Sequence, residues 1–233
     1  MAPQNAFEKF RPMKPVLIID IEVGNHQSVA NAMDYLGYDY VVSNDKDEIA
    51  AAACYVLPGV GAFPEAMKNL NRLDLADALK REVLEKKKPI LGICLGMQVF
   101  ADSSEERDST NAYQHKGLGW IRGAVRRLPA IPGLKVPQIG WNTLSWTGTD
   151  AVFSRLGPEA AFYFDHSYHF VCENKTDVAA TCSYGTDIVS AVKHDNIFGV
   201  QFHPEKSQTA GLKFFRAFFD AAGQRYRKVV HHA

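Results

Sequence analysis

The sequence predicts a three-layer α/β domain with a mostly parallel central sheet and an antiparallel extension in its second half. Three observations predict it. Short apolar runs such as VLIID (16–20) and PILGI (89–93) have the length and unbroken hydrophobicity of strands buried on both faces. Segments with helical spacing alternate with those runs from residue 15 to beyond Cys94, as they do where helices cover parallel strands. Between about Gly117 and Gly199 long helical segments give way to β-prone runs separated by turn-like clusters, the signature of antiparallel pairing.

Taken in order, the first strand covers Val16–Asp20, and Gly24 and Asn25 form a turn. A helix follows in which Val29, Ala32, Met33 and Leu36 share a face and Gly37 ends it, glycine being suited to the left-handed residue past a helix. A second strand runs from Tyr38 to Ser43, and Asn44 or Asp45 caps an Ala-rich helix through Ala53. The third strand, Tyr55–Leu57, stops at Pro58-Gly59-Val60-Gly61. A helix over Leu73–Lys88 keeps Leu75, Leu79 and Val83 on one face, and its EKKK end complements the helix dipole. The fourth strand ends at Cys94, where an amphipathic helix, LGMQVFADS, begins. In the second half, Phe162–Phe164, DVAATCSY (177–184), DIVSAVKH (187–194) and IFGVQF (197–202) read as strands, and Thr209–Ala222 as the last helix. Residues 1–14 read as an N-terminal extension, 15–223 as one domain, and 224–233 as a tail carrying Arg225, Arg227, Lys228, His231 and His232.

Composition excludes several classes of function. The 26 Lys and Arg balance 26 Asp and Glu, so the chain lacks the positive surplus that nucleic acids and anionic membranes require. No apolar run approaches the ~18 residues of a membrane span, and the N-terminus lacks the apolar core of a signal peptide. The four cysteines, Cys54, Cys94, Cys172 and Cys182, are too far apart for a disulfide scaffold and form no CxxC zinc motif. The expectation is a cytoplasmic protein without a metal or a cofactor.

Three segments carry chemistry. In GICLG (92–96) a strand meets a helix at Cys94, with glycines two residues before and after it. A nucleophile on so tight a corner needs small neighbours, the helix N-terminus favours thiolate, and the Leu95 amide would face an oxyanion formed there. A small buried cysteine in a glycine-rich turn satisfies the same pattern, so the motif needs a base. His203 supplies one in GVQFHPEKS (199–207). Residues two apart on an extended segment project to the same side, which places Glu205 to hold the His203 tautomer, with Pro204 disfavouring a helix. A surface His-Pro-Glu at a strand end is the alternative. The third segment is LPGVGAF (57–63), where Gly59 and Gly61 allow backbone amides to approach a ligand; otherwise it is merely a turn. All three map to the carboxyl edge of the predicted sheet, where parallel α/β sheets bind ligands.

Together LPGVGAF, GICLGMQVF and GVQFHPEKS resemble the class I, triad-type glutamine amidotransferases. IGWN (139–142) and YFDHSY (163–168) are similar to segments of the glutaminase subunits of imidazole glycerol phosphate synthase within that family. The resemblance spans residues 15–223 and implies a flavodoxin-like three-layer fold. It implies that Cys94 attacks the carboxamide of L-glutamine to give a thioester and ammonia, with His203 moving the proton and Glu205 orienting it. It implies an oxyanion site from Leu95 and the Gly59-Val60-Gly61 loop, a loop thought in this family to flip when the partner binds its own ligand. Gln98 either binds glutamine or ties the corner down, and Ser167 and Tyr168 bind glutamine through their backbone. Ammonia passes to a (β/α)8 cyclase subunit making imidazole glycerol phosphate in histidine biosynthesis, with Asn25, Tyr163 and Lys206 at the interface. Three positions depart from the family pattern, Glu22, Gln138 and Asp165, all in or near segments expected to face the partner. A similar glutaminase supplying another synthase, such as a sugar amidotransferase, is the alternative. A stand-alone cysteine hydrolase is disfavoured by His-Pro-Glu and Gln98, and a decayed binding subunit by the intact Cys94, His203 and Glu205.

Overall fold

A computed structural model describes residues 15–146 and 150–225; the expected N-terminal extension and most of the tail lie outside the described residues. The first half contains β1 (Val16–Ile19), α1 (His26–Leu36), β2 (Tyr40–Ser43), α2 (Lys46–Ala51), β3 (Cys54–Gly59), α3 (Phe63–Arg72), α4 (Leu75–Lys80), β4 (Ile90–Cys94) and α5 (Leu95–Gln98). The second half contains β5 (Ser103–Ser104), β6 (His115–Lys116), β7 (Gly123–Arg127), β8 (Gln138–Thr143), β9 (Ala161–His166), β10 (Tyr168–Cys172), β11 (Val178–Ser183), β12 (Asp187–His194), β13 (Ile197–Val200) and α6 (Gln208–Ala221).

Seven strands form the central sheet in the order β11-β12-β13-β4-β3-β1-β2. From β2 to β13 neighbouring strands pair in parallel, and β12 and β11 complete the sheet antiparallel. The expected mostly parallel sheet with an antiparallel extension is therefore the observed one. A second, mixed sheet is ordered β10-β7-β5-β6, with β5 and β7 parallel, and β8 and β9 form a separate antiparallel pair.

Alternation along β1 shows why the sheet needs cover on both sides. Val16 and Ile18 enter one apolar layer with Val29 and Met33 of α1 and Phe214, Phe215, Phe218 and Phe219 of α6. Leu17 and Ile19 enter the opposite layer with Leu70 of α3 and Leu75 and Leu79 of α4. Each such fully buried side chain contributes about 2 kcal/mol relative to exposure. The capping expected for the first helices holds. Asn25 Oδ1 accepts from Ser28 N at 3.2 Å, Gly37 closes α1 at φ 77°, and Asp45 Oδ1 accepts from the amides of Asp47 and Glu48.

Several local expectations fail for identifiable reasons. The third strand does not stop at Leu57; it continues through Pro58 and Gly59, with Gly59 paired to Cys94. An unforeseen helix, α3, follows it. Its signal was present: Pro64 sits at the start, and Phe63, Ala66, Met67 and Leu70 recur at helical spacing and are buried. The helix expected over Leu73–Lys88 is α4 followed by a π-helical turn at Arg81–Glu85. Burial of the Glu82 carboxyl opposes its ionisation, but Lys86 at 2.7 Å and Lys88 at 2.6 Å outweigh it and hold its pKa down. The lysines thus hold a buried acid as well as a helix end. The segment after Cys94 is not amphipathic: every residue from Leu95 to Ala101 is buried, and α5 lasts one turn. Its outgoing carbonyls are captured by Leu118 N, Gly119 N and Trp120 N, which accounts for the early end.

The corner between β4 and α5 has no room for side chains at its glycines. A Cβ on Gly92 would lie 2.5 Å from Gly96 O, and one on Gly96 would lie 1.8 Å from Leu57 O. Those distances are inside any van der Waals contact. Gly96→Ala is accordingly expected to lower unfolding free energy by roughly 3 kcal/mol. Gly157→Ala, where no atom lies within 4 Å, should stay within about 0.5 kcal/mol of the parent. Urea denaturation of the two variants measures the difference.

Candidate functional site

The carboxyl ends of β3, β4 and β13 lie side by side, with Gly59 opposite Cys94 and Ile93 opposite Val200. Three motifs far apart in sequence are thereby placed at one edge. Cys94 sits there at φ 54° and ψ −107°, a strained backbone for a residue with a side chain. The strain is sustained because both flanking glycines are packed against backbone, and it turns the thiol out of the sheet.

His203 arrives from β13. The sequence places it and Glu205 on an extended segment, with Pro204 disfavouring helix. The structure corrects this: Pro204–Lys206 is a 3-10 turn, with Pro204 at its first position. A proline is tolerated at a helix start because the N–H it lacks would go unused. The turn still joins the two side chains, His203 Nδ1 lying 2.7 Å from Glu205 Oε1, and both are buried. Four further contacts pin the segment. His203 N donates to Tyr163 O at 2.8 Å, Ser207 Oγ donates to His203 O at 2.6 Å, and Tyr163 N donates to Ser207 Oγ at 2.9 Å. Gly211 packs so closely that a Cβ would lie 1.8 Å from Pro204 O.

Burial alone would depress the pKa of His203; the Cys94 sulfur, by charge and by hydrogen bond, and the Glu205 carboxylate raise it instead, to about 10. The imidazole is therefore held cationic beside the sulfur. The other cysteines are arranged differently. Burial pushes the Cys172 thiol up to about 12 and raises Cys54 and Cys182 as well, so those three stay as inert thiols at neutral pH.

Cys94 opens into a cavity of about 270 Å³ whose walls include Val60, Gly61, Leu95, Gln98, Ser167, Tyr168 and His203. Gly59 packs behind, with a Cβ position 3.0 Å from Leu95 Cβ. Gly61, at φ 102° and with nothing near its Cβ position, leaves the loop room to reorient. Gln98 is buried, and both N–H groups of its amide are engaged, with Tyr168 O at 2.9 Å and Gln201 Oε1 at 3.0 Å. It ties the corner down. Tyr168 O also lies 2.8 Å from His166 Nδ1, so that carbonyl carries two contacts within the protein.

Four residues of the site are not singled out by the sequence motifs. Glu106 lines the cavity, accepts from Phe63 N at 2.8 Å, and has its pKa raised by burial. His166 is buried, and desolvation lowers its pKa to about 4, so the ring is neutral. Gln201 is fully buried and donates from Nε2 to Cys94 Sγ at 3.5 Å. Ser207 carries the turn described above. Gln201, Ser207 and His166 all lie within the family-like segments, so position gave a signal; Glu106 had none.

The residues expected at a partner interface divide. Lys206 Nζ lies 5.8 Å from the centre of the Tyr163 ring, and Trp141 meets the same ring edge-on at 6.1 Å. Asn25 spends its side chain capping α1, which packs near the Pro204–Lys206 turn. Of the three departures, Gln138 does not face outward: it is buried with Oε1 3.2 Å from His166 Nε2. Asp165 is exposed at the cavity mouth, and Glu22, at φ 61°, forms an ion pair with Arg72.

With this geometry, comparison with known proteins is direct. The family model described as glutamine amidotransferase class-I matches residues 17–222. The chain belongs to the class-I glutamine amidotransferases. Among curated relatives, imidazole glycerol phosphate synthase subunit HisH 2 of Vibrio vulnificus (strain YJ016) is 45% identical over 206 residues, covering 88% of this chain and 94% of its own. Subunit HisH of Zymomonas mobilis subsp. mobilis is 47% identical over 210 residues, covering 88% and 95%. The solved structure of PurLQS from Thermotoga maritima superposes with a TM-score of 0.67 at 18% identity, over 90% of this chain and 99% of that one. Its identity is low enough that it speaks to the fold alone. Among the described residues no helix is long and apolar enough to cross a membrane.

If the sulfur holds the His203 proton, removing it must release that proton earlier. A folded pKa above the 6.5 of free imidazole adds stability that is complete below pH 6.5 and lost as the pH rises through about 10. In Cys94→Ala the His203 titration midpoint, followed by NMR of the imidazole carbons, should fall by roughly one to three units. A midpoint unchanged near 10 would mean that the sulfur does not set it.

Proposed function

We propose that this chain is the glutaminase subunit of an imidazole glycerol phosphate synthase, working in the cytoplasm and handing ammonia to a (β/α)8 cyclase partner in histidine biosynthesis. The observation that carries the chemistry is Cys94 at the mouth of a cavity, beside a cationic His203 whose other nitrogen is held at 2.7 Å by Glu205. The choice of pathway is supported by relatives named HisH that are 45% and 47% identical across nearly their whole length.

The steps follow from the placement of these groups. The Cys94 thiolate attacks the γ-carboxamide carbon of glutamine, and the carbonyl electrons collect on oxygen. The Leu95 amide, at the N-terminus of α5, and an amide of the Gly59-Val60-Gly61 loop are the donors for that oxyanion. His203 delivers its proton to the departing nitrogen, so the C–N bond breaks as ammonia leaves and a γ-glutamyl thioester remains. The neutral imidazole then takes a proton from water, whose oxygen attacks the thioester; the C–S bond breaks, and glutamate and the thiolate are released. Glu205 keeps the proton-carrying nitrogen aimed at the sulfur throughout. An amino-acid substrate also needs a counter-charge for its α-ammonium, and Glu106 is the half-buried acidic side chain in the cavity wall. Ligand binding would draw its raised pKa back down. The backbone N–H groups of Ser167 and Tyr168 suit the α-carboxylate.

The partner face is argued from Tyr163, Lys206 and Trp141, with Ile139 and Val60 as further exposed apolar side chains. Aromatic residues beside a cation are the composition of interface centres. Asn25 would contribute there through the first turn of α1.

Four outcomes are expected. Glutamine hydrolysis is weak for the chain alone and rises strongly when the cyclase and its nucleotide ligand are added; 6-diazo-5-oxo-norleucine then labels Cys94 and no other cysteine. Cys94→Ala abolishes both, and retained turnover in that variant would refute the mechanism. Glu106→Gln raises the glutamine KM by roughly 10- to 100-fold with a smaller effect on kcat, the worth of a charge-assisted contact. Affinity purification of the full-length chain should recover the cyclase. Recovery of a different synthase would overturn the pathway assignment and leave the glutaminase chemistry standing.

A further inference from the structure

Gln201 is an uncharged side chain buried in the interior beside a sulfur, and nothing in the steps above uses it. Its backbone N donates to Ser190 O at 2.9 Å, which fixes the residue beyond the end of β13. Its side chain crosses to the β4–α5 corner. There Oε1 accepts from Gln98 Nε2 at 3.0 Å, and Nε2 donates to Cys94 Sγ at 3.5 Å.

An isolated glutamine could turn its amide over and offer oxygen to the sulfur. Here it cannot, because the direction of the hydrogen-bond chain is set at its far end. Tyr168 O is a main-chain carbonyl and can only accept. Gln98 must therefore point its NH2 group that way, giving one N–H to Tyr168 O at 2.9 Å and the other to Gln201 Oε1. With its oxygen so occupied, Gln201 has only N–H to present to Cys94. The sulfur thus receives an N–H donor from Gln201 and shares the cavity wall with the His203 imidazole, against a single weak acceptor, Asp165 O at 4.0 Å. Hydrogen bonds to the charged form favour that form, and buried donors left without partners are costly.

We propose that Gln201 is a positioning residue for Cys94, an amide whose orientation is dictated through Gln98 by the Tyr168 carbonyl and which presents an N–H to the sulfur and holds it in the attacking rotamer. The inference rests on the reading of Cys94 as nucleophile but is testable without glutamine. The titratable groups facing the sulfur are His203 with Glu205 behind it, His166 and Asp165 from the end of β9, and Glu106 across the cavity. None of them is altered in the variants that follow.

The experiment measures the rate of Cys94 alkylation by iodoacetamide against pH in the full-length chain, resolved by peptide mass spectrometry. Gln201→Met keeps the volume and removes the donor; the midpoint should rise by about one pH unit, a roughly tenfold loss of rate below it. Gln201→Glu should raise it at least as far. The discriminating variant is Gln98→Glu, which does not touch the sulfur. The carboxylate introduced there accepts rather than donates, so Gln201 turns its NH2 group towards position 98 and its oxygen to Cys94, and the midpoint rises as in Gln201→Met. On the Gln201→Met background Gln98→Glu should add only the Coulomb effect of its own charge, a smaller shift than it produces alone. In the partner complex the Gln201 variants should lose kcat more than they change KM. Two results would overturn the proposal: an unchanged midpoint in both Gln201 variants with native near-ultraviolet circular dichroism, or a Gln98→Glu shift that persists in full on the Gln201→Met background. Should Gln201→Met fail to fold, Gln201→Glu and Gln98→Glu still decide it. Loss of glutamine turnover in Cys94→Ala tests the glutaminase reading separately.

Discussion

Everything at the site depends on the contact between the Gly96 backbone and the Leu57 carbonyl. That approach brings α5 down onto β3 and leaves Cys94 at the top of β4 at a positive φ that no unrestrained cysteine would choose. The cost is offset by complete burial of the strands beneath and of the residues from Leu95 to Ala101 above. A thiol placed this way has an amide of a helix N-terminus next to it, a cavity in front and no room to retreat. The two glycines act by having no side chain: each removes the one atom that would force the corner open.

How much of this was legible in the sequence depends on the range of the physics involved. The parallel sheet was legible because its strands are buried on both faces and must be apolar throughout, as Val16–Ile19 and Ile90–Ile93 are. The caps at Asn25, Gly37 and Asp45 were legible because a cap is settled within three or four residues. The helix end after Gln98 was not, since it is set by distant groups: the 118–120 amides taking the carbonyls that would have continued α5. Cys94, His203 and Glu205 stood out by motif, although the reasoning for Glu205 assumed an extended strand and the structure supplies a 3-10 turn. Glu106 had no local pattern to betray it. It becomes part of the cavity only because Phe63 N and its carboxylate meet across the fold.

The polar groups around the cavity are not independent of one another. Gln98, Gln201, His166 and Tyr168 O lie together, and each hydrogen-bonding atom constrains the next. In a region of low dielectric an unmatched donor is expensive, so the set behaves as one unit rather than as separate contacts. Gln138, one of the departures from the family pattern, belongs to this interior set through His166 and not to the outer face.

The three hydrogen bonds joining His203, Tyr163 and Ser207 carry a last consequence. The imidazole follows β13 in the chain, yet its main chain is suspended from β9, whose outer surface bears the Tyr163 ring with Lys206 and Trp141 around it. The positional tolerance of the imidazole is therefore that of the β8-β9 pair rather than of the sheet core. In the proposed chemistry, whatever stiffens the outside of β9 would also narrow the spread of proton-transfer distances inside, so that one surface would be both a landing place and a damper.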